Sequence, residues 1–349
     1  MRTSWLLVTA GILASCATQL TIAPDGDPGT AGDGGAAGDG GAEGDGTLPG
    51  IIPGAQCVGR GPCLLVESSQ IASIAVQNEY VYFTQYENAG AIWRVPKTGG
   101  DADRLVPGLM LPSSLFATAD ALYWVNEGNN SVSRRLTGPT STVLQITSGS
   151  KMAGGQITAF GAASYWSAPT LGVPKGGVVH RSDSGFGVDM DFHTALDEPM
   201  AIAADASHVY FAMKNGLGGE QIYRDDRSEI AARETAARQY TGVHAIAVFA
   251  LGAVAVASDS VMGHSSTFSG PFIEALRGTS SARGVGVVHD DVGTSSYFLT
   301  SDGRFHRAMD GVAGIAKTTA TDCSDGRAIA QDLDYVYLAC MTSIWRVPK

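Results

Sequence analysis

Seven histidines are the side chains with which this chain could exchange protons near neutral pH: His180, His193, His208, His244, His264, His289 and His306. They are scattered. None falls in a His-Glu-x-x-His motif, and the sequence has no Gly-x-Ser-x-Gly turn, no phosphate loop and no dinucleotide fingerprint. The cysteines lack zinc-ligand spacing, so no metal or other cofactor is expected and no catalytic residue is assigned. His180 and His306 precede an arginine just as Trp93 and Trp345 do, which marks a repeated structural position. His244 opens a short apolar stretch and His289 closes another. These two are the channel candidates, for an acid–base pair or a bound ion. Asp290-Asp291 after His289 reads as a turn.

Arginines form the second set. Arg94, Arg134, Arg181, Arg224, Arg307 and Arg346 each end a short strand-like run, such as Ile92-Trp93-Arg94 or Phe305-His306-Arg307. Matched arginines could bind an anion. The structural alternative has their stems packed on a neighbouring element and their heads on carboxylates. The structural reading is preferred, because a binding site rarely needs one residue type facing six directions.

Both sets belong to a repeat. The central residue of its second strand recurs at Tyr82, Tyr123, Tyr165, Tyr210, Ala255, Tyr297 and Tyr337, in steps of 41, 42, 45, 45, 42 and 40 residues. Each copy runs from a small apolar strand (Ile74-Ala75-Val76, Ile246-Ala247-Val248) through an aromatic strand to the arginine strand. A period near forty with several short strands per unit predicts an all-β, seven-bladed β-propeller. Small residues suit inner strands crowded about an axis, and aromatics suit surfaces buried between blades. The fifth copy is degenerate: Val254-Ala255-Val256 lacks aromatics, and its arginine strand is expected near Pro271-Phe272-Ile273-Glu274. The Ala-, Glu- and Arg-rich stretch from Glu229 to Gln239 fits either a helical insertion or the polar outer strand of blade 4. The last copy ends at its third strand, so Cys63-Leu64-Leu65-Val66-Glu67 is expected to close the ring.

Four cysteines besides Cys16 invite disulfides in an exported protein. Cys57–Cys63 and Cys323–Cys340 are the expected pairs, the second across a hairpin; a bridge over the ring closure is the alternative. Domain limits follow: 1–15 signal peptide, 16–56 linker, 57–349 propeller. The linker is acidic, with Gly at every third position from Gly26 to Gly44. Pro28 is the only proline of those triplets, which excludes collagen. Such a segment reads as a flexible tether. The formal charge of −11 argues against non-specific nucleic-acid binding.

Two resemblances add to this. Arg2, the apolar run from Trp5 to Leu13 and then Leu13-Ala14-Ser15-Cys16 resemble the signal and lipobox of bacterial lipoproteins. That implies lipidation at Cys16, attachment to the membrane and, with Ala17 next, the outer membrane of the cell envelope. Leu122-Tyr123-Trp124-Val125-Asn126 and Tyr82-Phe83-Thr84-Gln85 look like YWTD repeats and are similar to NHL-type and streptogramin-lyase-like ones. The paired Ile-Trp-Arg-Val-Pro-Lys segments, Ile92 to Lys97 and Ile344 to Lys349, resemble Gly-rich myxobacterial lipoproteins. The resemblance implies a monomeric, anchored binding or scaffold module for a protein or glycan. The alternative is an anchored lyase or hydrolase working at the channel mouth.

Overall fold

A computed structural model describes residues 51–349 apart from 55, 139–140, 149–154, 184–188, 217, 229–232, 250–252, 280–281, 291–294 and 310–322. The expectations for Cys16, the signal peptide and the linker as far as residue 50 therefore lie outside the described residues. Among the described residues, no helix is long and apolar enough to cross a membrane.

Seven antiparallel sheets are present, and their innermost strands adjoin one another in sequence until the seventh meets the first. Blade 1 comprises Ile71–Gln77, Tyr80–Gln85, Gly90–Pro96 and Asp103–Leu109. Blades 2 to 5 repeat that four-stranded order, and blade 6 shows three strands among the described residues. The aromatic centres do the packing. Tyr82 and Ile92 of blade 1 meet Leu115, Leu122 and Trp124 of blade 2 in one buried cluster. Tyr165, Val179 and Phe192 of blade 3 meet Ile202, Val209 and Phe211 of blade 4 in another. The core is thus a circle of inter-blade interfaces in which each blade is stable only against its neighbours.

The register explains the arginines. Tyr82 lies opposite Arg94, Tyr123 opposite Arg134, Tyr165 opposite Arg181, Tyr210 opposite Arg224, Tyr297 opposite Arg307 and Tyr337 opposite Arg346. Guanidiniums lie over aromatic rings, Arg94 over Tyr80 at 4.5 Å and Arg224 over Phe268 at 4.7 Å. Arg94 and Arg224 also pair with Asp103 (3.0 Å) and Glu234 (2.6 Å) on their own blades' outer strands. In five of the six blades the arginine is a structural device, as its sequence implied.

The fifth blade requires a correction. Its third strand is Val261–Ser265, and Phe272–Arg277 is its fourth. The arginine position, opposite Ala255, is held by the buried His264. A tight turn explains the misreading: the Ser258 hydroxyl accepts from the Val261 amide and donates to its carbonyl, so the third strand begins almost at once. The stretch that reads as either helix or strand forms the outer strand of blade 4, Glu234–Tyr240, with residues 229–232 outside the described residues. Burial of Ala236 and Tyr240 against the blade overrides its helix propensity.

In blades 1, 4 and 7 a cation three residues after the arginine stitches the blade to the one before it. Lys97 of blade 1 pairs with Asp332 of blade 7 at 2.8 Å, and Lys349 of blade 7 with Asp290 of blade 6 at 3.3 Å. In blade 4 Arg227 does this work, donating to the Tyr165 hydroxyl (3.1 Å) and the Phe160 carbonyl (3.0 Å) of blade 3. This accounts for the lysine that ends both copies of the hexapeptide.

Ring closure is as expected. Cys63–Glu67 pairs antiparallel with Ser343–Pro348, placing Cys63 opposite Arg346. A fifth strand, Ile52–Pro53, which carries no repeat residue and falls in the segment read as linker, pairs outside it. Disulfides join Cys57 to Cys63 (Cα–Cα 5.8 Å) and Cys323 to Cys340 (5.5 Å), both on the blade where the chain's two ends meet.

Candidate site at the channel mouth

The inner strands enclose a cavity of about 970 Å³ to which all seven blades contribute. Its walls are small apolar residues (Ala75, Ala203, Ala247) with hydroxyls and amides between them, such as Ser73, Ser114, Thr158 and Gln156. Side chains tie the wall together. Ser73 accepts from the Leu115 amide (3.0 Å) and Ser114 from the Ile157 amide (3.1 Å), each reaching the next blade. Gln156, longer than serine at the same register, reaches over blade 4 to the His244 carbonyl (2.6 Å).

The cavity has two distinct ends. His244 stands beside the start of its strand, Val243–Phe249, while His289 ends its own, Gly284–His289. Amide bonds join starts to starts, as with Gln156, and ends to ends, as where Gln331 donates to the His289 carbonyl. The two histidines therefore do not converge. About four residues of extended chain, roughly 13 Å, separate their levels. His289 is buried, its Nδ1 3.0 Å from the Ser296 hydroxyl and its ring stacked on Phe249 (14° between planes).

His244 does meet acidic groups. Its Nε2 lies 2.7 Å from Asp259 Oδ1. Gly242 makes this possible: its φ is +59°, and a Cβ there would strike the Asp259 carboxylate. Glu220 accepts from the Val243 amide at 2.5 Å. Burial pushes the Glu220 carboxyl up, while that amide and the nearby His244 pull it down. Among the described residues, no three His, Cys, Asp or Glu are grouped to hold a metal ion.

Opposite lies a second group that the histidine search missed. The Tyr86 hydroxyl donates to Glu127 at 2.8 Å, and burial together with that carboxylate pushes the phenol up to about 12. Tyr86, Glu127, Gln70, Arg327 and Met341 line the same mouth. Met110 and Met341 are exposed at this face, as are Leu171 and Val173 on the neighbouring loop of blade 3. That loop is held by the Gly172 amide on Glu198 (2.8 Å) and the Lys175 amide on Asp197 (2.5 Å). Such residues sit in loops without repeat spacing. Only exposed apolar residues among turn formers could have marked them.

The remaining histidines are occupied elsewhere. His180 is buried, stacked on Trp166 and 3.1 Å from both Asp189 and Asp191. His193 of blade 3 reaches the buried Asp225 of blade 4 at 2.6 Å. His208 lies near Asp205 at 3.8 Å. Burial holds the His306 imidazole below its usual value.

No family model matches the sequence, and no curated protein matches it. Among solved structures the chain is similar to one in the nidogen/laminin complex, with a TM-score of 0.53 and 14 % identity over 70 % of this chain and 95 % of that one. It is similar also to a chain in the structure of YCF48 bound to D1 peptide, with a TM-score of 0.59 and 11 % identity over 84 % and 99 %. At such identities the likeness is one of fold, and it agrees with the sheet order: this chain is a seven-bladed β-propeller.

Proposed function

We propose that the protein is a lipid-anchored binding or scaffold module of the cell envelope, engaging a protein or glycan partner through the face where its inner strands begin. The carrying observation is the channel mouth, where exposed Met341 stands among Tyr86, Gln70, Glu127 and Arg327, with exposed Met110, Leu171 and Val173 on loops of the same face. Apolar anchors within a polar rim are the anatomy of a recognition surface. The nidogen/laminin complex and the YCF48–D1 peptide complex offer propeller-fold precedents in macromolecular complexes, at the level of analogy. Anchoring rests on the lipobox-like Leu13-Ala14-Ser15-Cys16, and the bacterial, myxobacterial-type source on the repeated hexapeptide.

Two experiments test this. Cys16→Ala is expected to move the protein from the membrane to the soluble fraction; wild-type fractionation of that variant overturns the anchor. Met110→Glu with Met341→Glu is expected to weaken capture of partners from envelope extract and a glycan array by tenfold or more. A ligand retained equally by wild type and variant places recognition elsewhere.

The second reading is an anchored lyase or hydrolase, and His244, which lines the cavity and is paired with Asp259 and close to Glu220, favours it. His244→Gln separates the two: it abolishes turnover in an enzyme and leaves partner capture unchanged in a binding module.

A further inference from the structure

Blade 2 differs from its neighbours at the rim. Its outer strand, Val143–Ser148, reads Val-Leu-Gln-Ile-Thr-Ser, without charge or proline. The described outer strands of other blades are guarded. Asp103–Leu109 carries Asp103, Arg104 and Pro107; Met190–Leu196 carries Asp191 and His193. Glu234–Tyr240 carries Glu234 and Arg238, and Phe272–Arg277 carries Glu274 and Arg277. Charge and proline are the usual means of keeping an open strand edge from pairing with another chain.

The unguarded edge is also apolar. Val143 and Leu144, successive residues that face opposite sides of the sheet, are both exposed, and so is Leu136 across the hairpin. The register shows what they replace. Leu144 lies opposite Arg134 and Val143 opposite Arg135. In blades 1 and 4 the residue opposite the repeat's arginine is an acid, Asp103 for Arg94 and Glu234 for Arg224, and each pair is a salt bridge. In blade 2 leucine takes the acid's place. Among the described residues neither Arg134 nor Arg135 has a carboxylate partner within salt-bridge distance. Two uncompensated cations on a chain of net charge −11 thus stand behind one open edge.

We propose that this rim, the edge of Val143–Ser148 with Arg134 and Arg135 behind it, docks an extended segment of a partner protein in which apolar and acidic residues alternate. The segment's backbone adds a strand beside Val143 to Gln145, before the irregularity between Gln145 and Thr147. Its apolar side chains, all on one face, cover Leu144 and Leu136, and its carboxylates, all on the other, reach Arg135 beside Val143. Charge complementarity selects this occupant. A second copy paired edge to edge would bring four guanidiniums into one seam. This surface lies at the rim and is separate from the channel mouth.

The test uses the full-length protein and fluorescent eight-residue peptides in which Val alternates with Asp, Lys or Ser, read by anisotropy. The Val/Asp peptide is expected to bind at least tenfold more tightly than the other two and to weaken as salt rises. N-methylation of alternate amides in that peptide is expected to abolish binding. Arg134→Gln/Arg135→Gln keeps the stems and is expected to weaken binding about tenfold; Leu144→Glu is expected to weaken it similarly. No binding, equal affinity for all three peptides, or indifference to the arginine variants overturns the proposal. So does concentration-dependent dimerisation that Leu144→Glu removes, which would identify a second copy as the occupant.

Discussion

Leu65→Asp is expected to prevent the ring from closing. Leu65 is fully buried in the strand Cys63–Glu67, packed with Val66, Ile71, Tyr337 and Ile344. Truncating a buried leucine alone costs about 2–5 kcal/mol. A carboxylate in its place adds the cost of an unpaired buried charge, several kcal/mol more. The sum is comparable with the whole stability of a typical domain, about 5–15 kcal/mol. The variant should therefore lose its cooperative thermal transition by circular dichroism and become open to limited proteolysis. Glu67→Ala, at an exposed site in the same strand, is the control and should stay within about 0.5 kcal/mol of wild type. A melting temperature for Leu65→Asp within a few degrees of wild type would show that the ring holds without this strand.

Asp332→Ala is the second large effect. The carboxylate accepts from the Asp334 and Tyr335 amides (3.0 and 2.9 Å), from the Tyr337 hydroxyl (2.8 Å) and from Lys97 of blade 1. Its loss strands a largely buried ammonium and a phenol at the blade 7–blade 1 seam. Removing one partner of a buried ion pair costs about 3–5 kcal/mol, and this site, part-exposed, belongs at the lower end. Lys97→Met in the Asp332→Ala background should recover part of the loss, because the stranded charge goes with it. Urea unfolding of the four proteins of that cycle measures the coupling; strictly additive losses would mean that the stitch contributes nothing.

The same carboxylate sets an acid limit. Burial opposes its ionisation, but Lys97, Tyr337 and the Tyr335 amide outweigh burial and hold the carboxyl below the usual range. Asp225 between His193 and Arg233, and Asp189 beside His180 and Thr147, are likewise held down against burial. A folded-state value below the unfolded one gives stability that is present above about pH 4 and is lost as pH falls through the folded value. Stability from these groups should therefore hold steady down to about pH 5 and decline steeply below about pH 4. Asp332→Ala should make that decline shallower.

How much of this could be read from the sequence depended on repetition. Six aromatic centres, with Ala255 in the fifth place, at near-constant spacing defined the sheets, because strands buried on both sides carry large side chains at a fixed register. The closing strand was visible as an apolar run left without a partner. Val261–Ser265 was not, because glycine, histidine and serine replace the aromatic and arginine that mark a third strand elsewhere. Asp332 sits in a turn close to most of its partners, but Lys97 is distant in sequence and adjoins it only when the ring closes. The channel mouth was least legible. Met110, Met341 and Tyr86 lie in loops that follow no period, so no pattern brings them together before the blades are arranged. His244 and His289 suggested a pair by their place at strand ends, but strands that run the same way put a start and an end at opposite mouths.

The pairing of Cys63 with Arg346 has a consequence in time. A chain that emerges from its N-terminus delivers the closing strand early and the strand it must join almost last. In between, the first blade and every newest blade have open edges, and the closing strand waits without a sheet. Cys57 and Cys63 can join as soon as both emerge, while Cys323 and Cys340 come together only at the end. Both bonds can form before Ser343–Pro348 joins the closing strand, so the interval before that pairing is when the propeller is most exposed to mispairing.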